Sequence, residues 1–191
     1  MRIIAGEFRS RKLLAPATDA TRPITDRVKQ SLFDVLAPYL NDAHVYDCFA
    51  GTGSMGLECL SRGASRATFF EADRSAAALL RKNIATLGVA GRSTVVDHDL
   101  FKWFESSSAK ADIDLVFFDP PYRFLRERVD DLQRSASHLQ KHLSDQGIVV
   151  FRHDSQDALE LPPLTSFDRR AYGGMTIELM KSSSRHEGDT P

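Results

Sequence analysis

The sequence is poor in the features that mark secreted, membrane-anchored and metal-binding proteins. Cysteine occurs twice in 191 residues, at Cys48 and Cys59, and the two do not form a CxxC pair. This spacing indicates neither a disulfide framework nor a zinc site, and both cysteines lie in apolar patterns typical of a reduced core. The start of the chain lacks the apolar stretch of a signal peptide, and no apolar run reaches membrane-spanning length. We therefore expect a cytoplasmic protein that makes no membrane contact.

No charge of one sign dominates the composition. The chain has 25 Lys and Arg residues against 26 Asp and Glu residues, and its 42% hydrophobic content is enough for a packed core. The distribution is uneven, however, because residues 1–30 hold seven basic side chains and three acidic ones. Such a local excess is typical of phosphate-binding surfaces and also of ordinary solvated faces, so charge alone leaves both interpretations open.

The length of the chain fits one domain with a short appendage. We predict three segments: a basic N-terminal extension over 1–23 that can form a short hairpin, a main domain over 24–181, and a disordered polar tail over 182–191. Within the main domain, Thr25 is the predicted N-cap of a helix that runs to about residue 38.

Helix and strand patterns alternate through the rest of the main domain. Further helices are predicted over 54–62, 74–87, 101–105 and 128–143, and strands over 45–50, 67–71, 93–97, 113–118, 147–152, 165–171 and 176–181. This alternation predicts an α/β fold with a mostly parallel, Rossmann-like sheet that has helices on both faces. Ligands bind such sheets at the carboxyl ends of the strands, which is where candidate functional residues are sought.

A glycine-rich turn follows the first strand of this pattern. Gly51, Gly53 and Gly56 form a GxGxxG motif, and Glu71 lies 20 residues past Gly51 at the end of the next strand. Glycines let the backbone approach a ligand, and the acidic residue accepts hydrogen bonds from a ribose diol. Nicotinamide dinucleotides and S-adenosylmethionine both carry such a ribose, so the motif indicates a nucleoside cofactor without choosing between them. A tight turn without a ligand is the structural alternative.

Other residues near the strand ends complete the predicted cofactor site. Asp99 can accept the adenine amino group, with Ala72 and Leu100 beside the ring, although Asp99 is equally suited to cap the short helix that follows. The full predicted cofactor-binding set is Asp47, Phe49, Ala50, Gly51, Gly53, Glu71, Ala72, Asp99, Leu100 and Asp119.

The motif Asp119-Pro120-Pro121-Tyr122 follows directly on the apolar strand over 113–118. An exocyclic amine of adenine or guanine is a poor nucleophile because its lone pair is delocalised into the ring. The Asp119 carboxylate and the Pro120 carbonyl can each accept a hydrogen bond from that amine, and the prolines hold both acceptors in place. Tyr122 offers a ring face for stacking a base. These four residues are the predicted catalytic residues of a base-amine methyltransferase that uses S-adenosylmethionine, with a rigid strand-end turn as the alternative.

These motifs together resemble the RsmD family of bacterial methyltransferases, which act on guanine N2 in small-subunit (16S) ribosomal RNA. The resemblance extends to about residue 181 and is carried by Arg22-Pro23-Ile24-Thr25-Asp26-Arg27-Val28-Lys29, Asp47-Cys48-Phe49-Ala50-Gly51-Thr52-Gly53, Asp119-Pro120-Pro121-Tyr122, and the opening Arg2-Ile3-Ile4-Ala5-Gly6 with Arg9 and Arg11-Lys12-Leu13. The segment over 22–29 is the most specific, because amino-methyltransferases in general share the other two motifs.

The resemblance implies a class I methyltransferase fold whose last two strands are antiparallel, and a guanine target of the 966 type. It implies that the segment over 2–12 contacts RNA phosphate and that Thr25, Asp26 and Arg27 line the pocket. The predicted RNA-binding residues are Arg2, Arg9, Arg11, Lys12, Arg22 and Arg27. The implied partner is 16S ribosomal RNA, within the 30S subunit or a late assembly intermediate, and we expect a monomer.

One departure from the family pattern lies at the end of the fifth strand. Family members often carry an acidic residue there, whereas this chain has Phe151-Arg152-His153-Asp154. We therefore assign no role to His153.

Other functions explain less of the sequence. DNA adenine-N6 methyltransferases share the Asp-Pro-Pro-Tyr motif but usually carry a target-recognition insertion, for which residues 123–146 leave no room. Protein-glutamine methyltransferases typically have Asn in place of Asp119. An NAD-dependent oxidoreductase leaves the residues at 119–122 unexplained, and a non-catalytic RNA-binding module explains only the basic start.

Two histidines and an aromatic cluster receive structural interpretations. His138 and His142 lie four residues apart on a predicted helix, a spacing that can bind a metal. No third ligand accompanies them, so we predict surface residues and no metal site. Trp103, with Phe101 and Phe104, is predicted to pack its helix against the core.

Overall fold

The computed structural model describes residues 1–16, 24–106 and 112–183, and the chain divides into two compact units, 1–100 and 101–191. Seven strands flanked by helices confirm the predicted α/β fold class. The predicted RNA contact Arg22 and the predicted disordered tail beyond residue 183 lie outside the described residues. None of the described helices is both long and apolar enough to cross a membrane.

The first unit is built around three parallel strands. Its elements are α1 (Asp26–Leu36), β1 (His44–Cys48), α2 (Ser54–Ser61), β2 (Arg66–Phe70), α3 (Arg74–Leu87) and β3 (Ser93–Val96), and its last residue begins α4 (Leu100–Ser106). The strands lie in the order β3-β2-β1, with Cys48 opposite Phe70 and Phe70 opposite Val96. Helix α2 packs on β1 and β2, and both cysteines are buried free thiols, as predicted.

Local sequence signals set the helix ends in this unit. Thr25 Oγ1 accepts a hydrogen bond from the Val28 N–H (3.3 Å), and α3 ends at Gly88, whose φ of 71° is left-handed. Helix α1 ends two residues before the predicted position, because the chain tightens into a 3₁₀ turn over Ala37–Tyr39 that contains Pro38. The helix at 74–87 has the predicted bounds.

The first 13 residues form a small hairpin. Arg2 and Lys12 pair as an antiparallel bridge, and the turn between them contains a hydrogen bond from the Arg11 N–H to the Phe8 carbonyl (3.0 Å). Ile3 and Leu13 are buried. The hairpin therefore belongs to the packed part of the first unit.

Helix α2 anchors this N-terminal hairpin. The Glu58 carboxylate accepts hydrogen bonds from the N–H groups of Ile4 (2.8 Å) and Ala5 (3.0 Å). Gly6 has a φ of 82°, and a Cβ at this position would lie 1.8 Å from the Ser61 carbonyl oxygen. A glycine is therefore required where the hairpin crosses the end of the helix.

The second unit combines one parallel and two antiparallel strand pairs. Its elements after α4 are β4 (Ile113–Phe118), α5 (Phe124–Glu127), α6 (Val129–His142), β5 (Leu143–Asp154), β6 (Leu164–Tyr172) and β7 (Met175–Ser182). The strand order is β4-β5-β7-β6; β4 and β5 are parallel, and β7 is antiparallel to both of its neighbours. This confirms the implied antiparallel final pair, while the one-turn helix α5 was not predicted.

The predicted surface position of His142 is wrong. The side chain is buried, and its ring centroid lies 5.8 Å from that of Phe104 and 6.0 Å from that of Trp103. His138 stacks on Phe104 with an interplanar angle of 11°. Burial lowers the pKa of His142, and the positive charges of His138 and Lys141 act in the same direction. Both histidines thus help α6 pack against the aromatic residues that begin the unit.

Candidate active site

The glycine-rich turn joins β1 to α2 through a run of left-handed backbone. Phe49, Gly51 and Gly53 have φ values of 62°, 56° and 85°. A Cβ at Gly53 would lie 2.4 Å from the Leu80 side chain, whereas a Cβ at Gly51 would meet no atom of the described residues within 4 Å. The turn is therefore packed against the unit at Gly53 and has open space beside Gly51, where a ligand can approach the backbone.

Glu71 follows β2 and its side chain reaches the glycine turn. One carboxylate oxygen accepts a hydrogen bond from the Gly51 N–H (2.7 Å) and the other from the Asp73 N–H (2.7 Å). Burial raises the pKa of Glu71, and these two backbone donors offset part of that shift. Each oxygen has a second lone pair. The side chain is therefore held by the backbone in a position from which it can accept two ribose hydroxyl groups.

Asp47, another predicted cofactor ligand, is buried beneath the turn. Its Oδ2 accepts a hydrogen bond from the Gly56 N–H (2.8 Å) in the first turn of α2. A Cβ at Gly56 would lie 2.4 Å from the Phe69 ring, so the helix start is pressed onto β2. Asp47 supports the shape of the turn, and its direct contact with a cofactor stays a prediction.

The other predicted cofactor residues lie next to the carboxyl ends of the same three strands. Ala50 and Leu100 are buried, while Ala72 is exposed and Asp99 is partly exposed. Asp97 forms an ion pair with Arg81 (2.9 Å). A contact of Asp99 with adenine stays a prediction.

The motif at 119–122 leaves the carboxyl end of β4 and turns directly into α5. Pro120 is buried, and the Pro121 carbonyl accepts a hydrogen bond from the Phe124 N–H (2.8 Å). The carbonyl of Pro121 is therefore already engaged in the turn. Of the two proline carbonyls, that of Pro120 remains the predicted second acceptor for a target amine.

A residue to which the sequence analysis gave no role holds the Asp119 side chain. Arg152 Nε donates to Asp119 Oδ1 (2.7 Å), and Arg152 Nη2 lies 2.5 Å from Oδ2, so the two groups form a two-point ion pair. The side chains are 18% and 23% exposed. Arg152 Nη1 also lies 3.7 Å from the Met175 sulfur.

Strand register explains why these two residues meet. Phe118 is opposite Phe151 in the parallel pair of β4 and β5, so the residues that follow them lie side by side. Arg152 lies near the carboxyl end of β5. Pairing β4 with β5 in this register was the signal that could have identified it.

His153 has a different environment from its neighbour Arg152. It is buried, its ring stacks on Phe151 with centroids 4.9 Å apart, and its Nε2 lies 3.1 Å from Glu178 Oε1. Its Nδ1 lies 2.8 Å from the Asp154 carbonyl oxygen. These contacts join β5 to β7 and are structural.

The predicted RNA-binding residues that the structure describes are exposed and lie in the first unit. They are Arg2, Arg9, Arg11 and Lys12 of the N-terminal hairpin and Arg27 of α1. Arg2 pairs with Asp26 (2.7 Å), although both side chains remain about half exposed. Contact of these residues with RNA stays a prediction.

One of the basic residues counted at the start of the chain does not contribute to its surface. Lys29 is buried, and its Nζ lies 2.9 Å from Glu58 Oε2. It also donates to the Ser54 carbonyl (2.9 Å). Burial lowers the pKa of Lys29, which Glu58 only partly offsets. Lys29 therefore does not add to the positive charge that the first 30 residues present to solvent.

Comparison with known proteins shows the family to which the chain belongs. The family model described as "Conserved hypothetical protein 95" matches residues 1–181. The chain is 36% identical to ribosomal RNA small subunit methyltransferase D of Escherichia coli over 193 residues, which covers 99% of this chain and 93% of that protein. The chain belongs to the RsmD family. This membership confirms the predicted enzyme class, an S-adenosylmethionine-dependent methyltransferase.

Solved structures of similar proteins have the same fold. The Escherichia coli protein yhhF is 34% identical and has a TM-score of 0.81, with 95% of this chain and 97% of that chain covered. SMU.776, solved in complex with S-adenosylhomocysteine (SAH), is 14% identical with a TM-score of 0.65, and the match covers 85% of this chain and 50% of that one. At that identity the second likeness concerns the fold alone.

Proposed function

We propose that this enzyme transfers a methyl group from S-adenosylmethionine to the N2 amine of a guanine in 16S ribosomal RNA, at the 966-type position. Similarity to a protein named ribosomal RNA small subunit methyltransferase D supports the RNA class. The observation that carries the amine chemistry is the Asp119 carboxylate, held by a two-point ion pair at the end of β4 and followed by the buried Pro120.

The first unit is proposed to bind the cofactor. The open space beside Gly51 and the two remaining acceptor positions on Glu71 fit an adenosyl ribose. When bound, S-adenosylmethionine supplies a methyl group on a positively charged sulfur, so that transfer forms a nitrogen–carbon bond, breaks the carbon–sulfur bond and leaves neutral SAH. Gly51, Gly53 and Glu71 are proposed to position the cofactor, and Asp99 is proposed to accept a hydrogen bond from the adenine amine.

The second unit is proposed to bind the target amine. The Asp119 carboxylate and the Pro120 carbonyl accept its two hydrogens, which favours a pyramidal nitrogen and stabilises the positive charge that develops during transfer. The surplus proton then passes to water or to Asp119. Tyr122 is partly exposed and is proposed to stack on the guanine.

The N-terminal hairpin is proposed to contact RNA phosphate through Arg9, Arg11 and Lys12. These side chains are exposed. Glu58 holds the opposite arm of the same hairpin through the N–H groups of Ile4 and Ala5. A small basic surface suits recognition of folded RNA by shape. We propose the 30S subunit or a late assembly intermediate as the substrate, a monomeric enzyme, and the cytoplasm as its location.

The decisive experiment maps methylated nucleotides in 16S ribosomal RNA by mass spectrometry, from cells that lack this protein and from cells that regain it. We expect one N2-methylguanosine to appear with the protein and to be absent with the Asp119→Ala variant. Purified 30S particles and naked RNA, methylated in vitro, identify the form of the substrate. Methylation of adenine in DNA with no change in ribosomal RNA would replace this proposal by the DNA alternative.

Cofactor choice is tested separately by calorimetry. SAH is expected to bind the purified protein and NAD is not. Binding of NAD without binding of SAH would contradict the assignment of the glycine turn.

A further inference from the structure

We propose that Arg152 is a positioning residue for methyl transfer, which fixes the Asp119 carboxylate in the orientation that accepts the target amine. The inference rests on the proposed role of Asp119 in that reaction. It goes further by assigning a specific task to Arg152, to which the sequence analysis gave no role.

The geometry of the pair supports orientation rather than simple charge balance. Two parallel contacts, Nε to Oδ1 (2.7 Å) and Nη2 to Oδ2 (2.5 Å), lock rotation of the carboxylate about its bond to Cβ. A carboxylate has about four lone-pair positions, of which the guanidinium uses two, so each oxygen of Asp119 can still accept another hydrogen bond. An amine that approaches therefore meets an acceptor whose direction is already set.

The strands around Arg152 hold the guanidinium itself in place. Arg152 is opposite Ile177 in the antiparallel pair of β5 and β7, and Met175 of β7 lies 3.7 Å from its Nη1. The side chain is only 18% exposed. Because β5 pairs with β4 on one side and with β7 on the other, the backbone of Arg152 lies in the middle of the paired strands of the second unit.

The matching experiment compares Arg152→Ala with Arg126→Ala. The control also removes one arginine of an Arg–Asp pair in the second unit, since Arg126 Nε lies 2.9 Å from Asp157 Oδ1, but at a side chain that is 70% exposed. We expect Arg152→Ala to lower the single-turnover rate of methyl transfer by about 100-fold. The Kd for SAH and the KM for RNA are expected to stay within about twofold, as is the rate of the control.

Chemical rescue separates positioning from a general loss of structure. Free guanidinium is expected to raise the single-turnover rate of Arg152→Ala by at least about tenfold. It is expected to leave the rate of Asp119→Ala unchanged, because the carboxylate that would bind it is missing. Arg152→Lys, which keeps the charge but makes one contact in place of two, is expected to have an intermediate rate.

Each outcome decides for or against the inference. A wild-type rate in Arg152→Ala, or a loss of rate that guanidinium does not restore and that Arg152→Lys shares in full, overturns the positioning role while the proposed function stands. If the wild-type enzyme itself methylates no ribosomal RNA, the proposed function fails, and the inference fails with it.

Discussion

Glu71 and Asp119 are both held in place at the carboxyl ends of parallel strands, but by different kinds of partner. Backbone N–H groups of Gly51 and Asp73 hold Glu71 in the first unit. The side chain of Arg152, 33 residues away in the sequence, holds Asp119 in the second. A backbone N–H donor remains when the side chain of its residue is replaced, except by proline, whereas a side-chain donor is lost when its residue is replaced. The orientation of the Glu71 carboxylate is thus insensitive to which side chains its partners carry, whereas the orientation of the Asp119 carboxylate depends on one replaceable side chain.

Glu58 combines both kinds of partner and is fully buried. It accepts hydrogen bonds from the backbone of the N-terminal hairpin and forms ion pairs with Lys29 (2.9 Å) and Arg62 (2.8 Å). Burial alone would raise the pKa of Glu58, but Lys29, the Ile4 N–H and Arg62 outweigh burial and lower it. This carboxylate therefore contributes to the stability of the fold and to the attachment of the hairpin.

The largest expected effect is on the rate of methyl transfer, through the residue that is proposed to bind the target amine. Asp119→Ala should lower methyl transfer by about 1,000-fold, or ~4 kcal/mol, because it removes the acceptor for the developing ammonium. The Kd for SAH, measured by calorimetry, should change by less than about twofold, since no cofactor group is proposed to depend on this carboxylate alone. Normal turnover would remove Asp119 from the mechanism.

Glu58→Gln should reduce the free energy of unfolding by about 3 kcal/mol, because Lys29 would be buried without its counter-ion and would have to give up its charge or stay unpaired. Glu7→Gln is the matched control: Glu7 pairs with Arg92 (3.2 Å) but is 62% exposed, and its loss should cost less than about 1 kcal/mol. Urea unfolding measures both values.

The pH dependence of the Glu58→Gln effect sharpens this prediction. Because the folded-state pKa of Glu58 is lowered, its stabilisation is present near neutral pH and is lost as the pH falls through that value. The difference between wild type and Glu58→Gln should therefore shrink in acid. A difference that stays constant with pH would contradict the role of the ionised pair.

At the proposed cofactor site, Glu71→Gln should weaken SAH binding by about tenfold, or ~1.4 kcal/mol, through loss of one acceptor for a ribose hydroxyl. Burial raises the pKa of Glu71, so the carboxylate is protonated at a higher pH than an ordinary glutamate. SAH affinity of the wild type should fall as the pH decreases through that range, and that of the variant should not. Asp97→Asn, at an exposed carboxylate of the same unit, is the control, and an equal loss there would contradict a specific role for Glu71.

The smallest expected effect is at the surface of the N-terminal hairpin. Charge reversal of Arg9 and Arg11 should weaken RNA binding by about fivefold at physiological salt and flatten the slope of log affinity against log salt by about 1 for each lost phosphate contact. Reversal of Arg66 and Lys82, which are also exposed, changes the net charge equally and should leave the slope unchanged. An unchanged slope in the hairpin variant would exclude it as the RNA contact.

The fold was largely predictable because its signals are local. The N-cap at Thr25, the stop at Gly88 and the alternating apolar runs placed most helices and strands within a few residues of their observed ends. The burial of His142 was missed because spacing along a helix shows which residues share a face but not what covers that face. Helix α5 was missed because a one-turn helix after two prolines has almost no periodicity to detect.

Local sequence determined the backbone devices of this protein: the glycine turn, the rigid prolines and the carboxylates that follow strands, since turn geometry depends on residues close together in the chain. Only the tertiary structure decided which side chains those carboxylates meet. The register of β4 against β5 brings Arg152 to Asp119, and the placement of α1 relative to α2 brings Lys29 to Glu58. Contacts between distant residues depend on strand order, register and helix packing, which are properties of the assembled core and of no single segment.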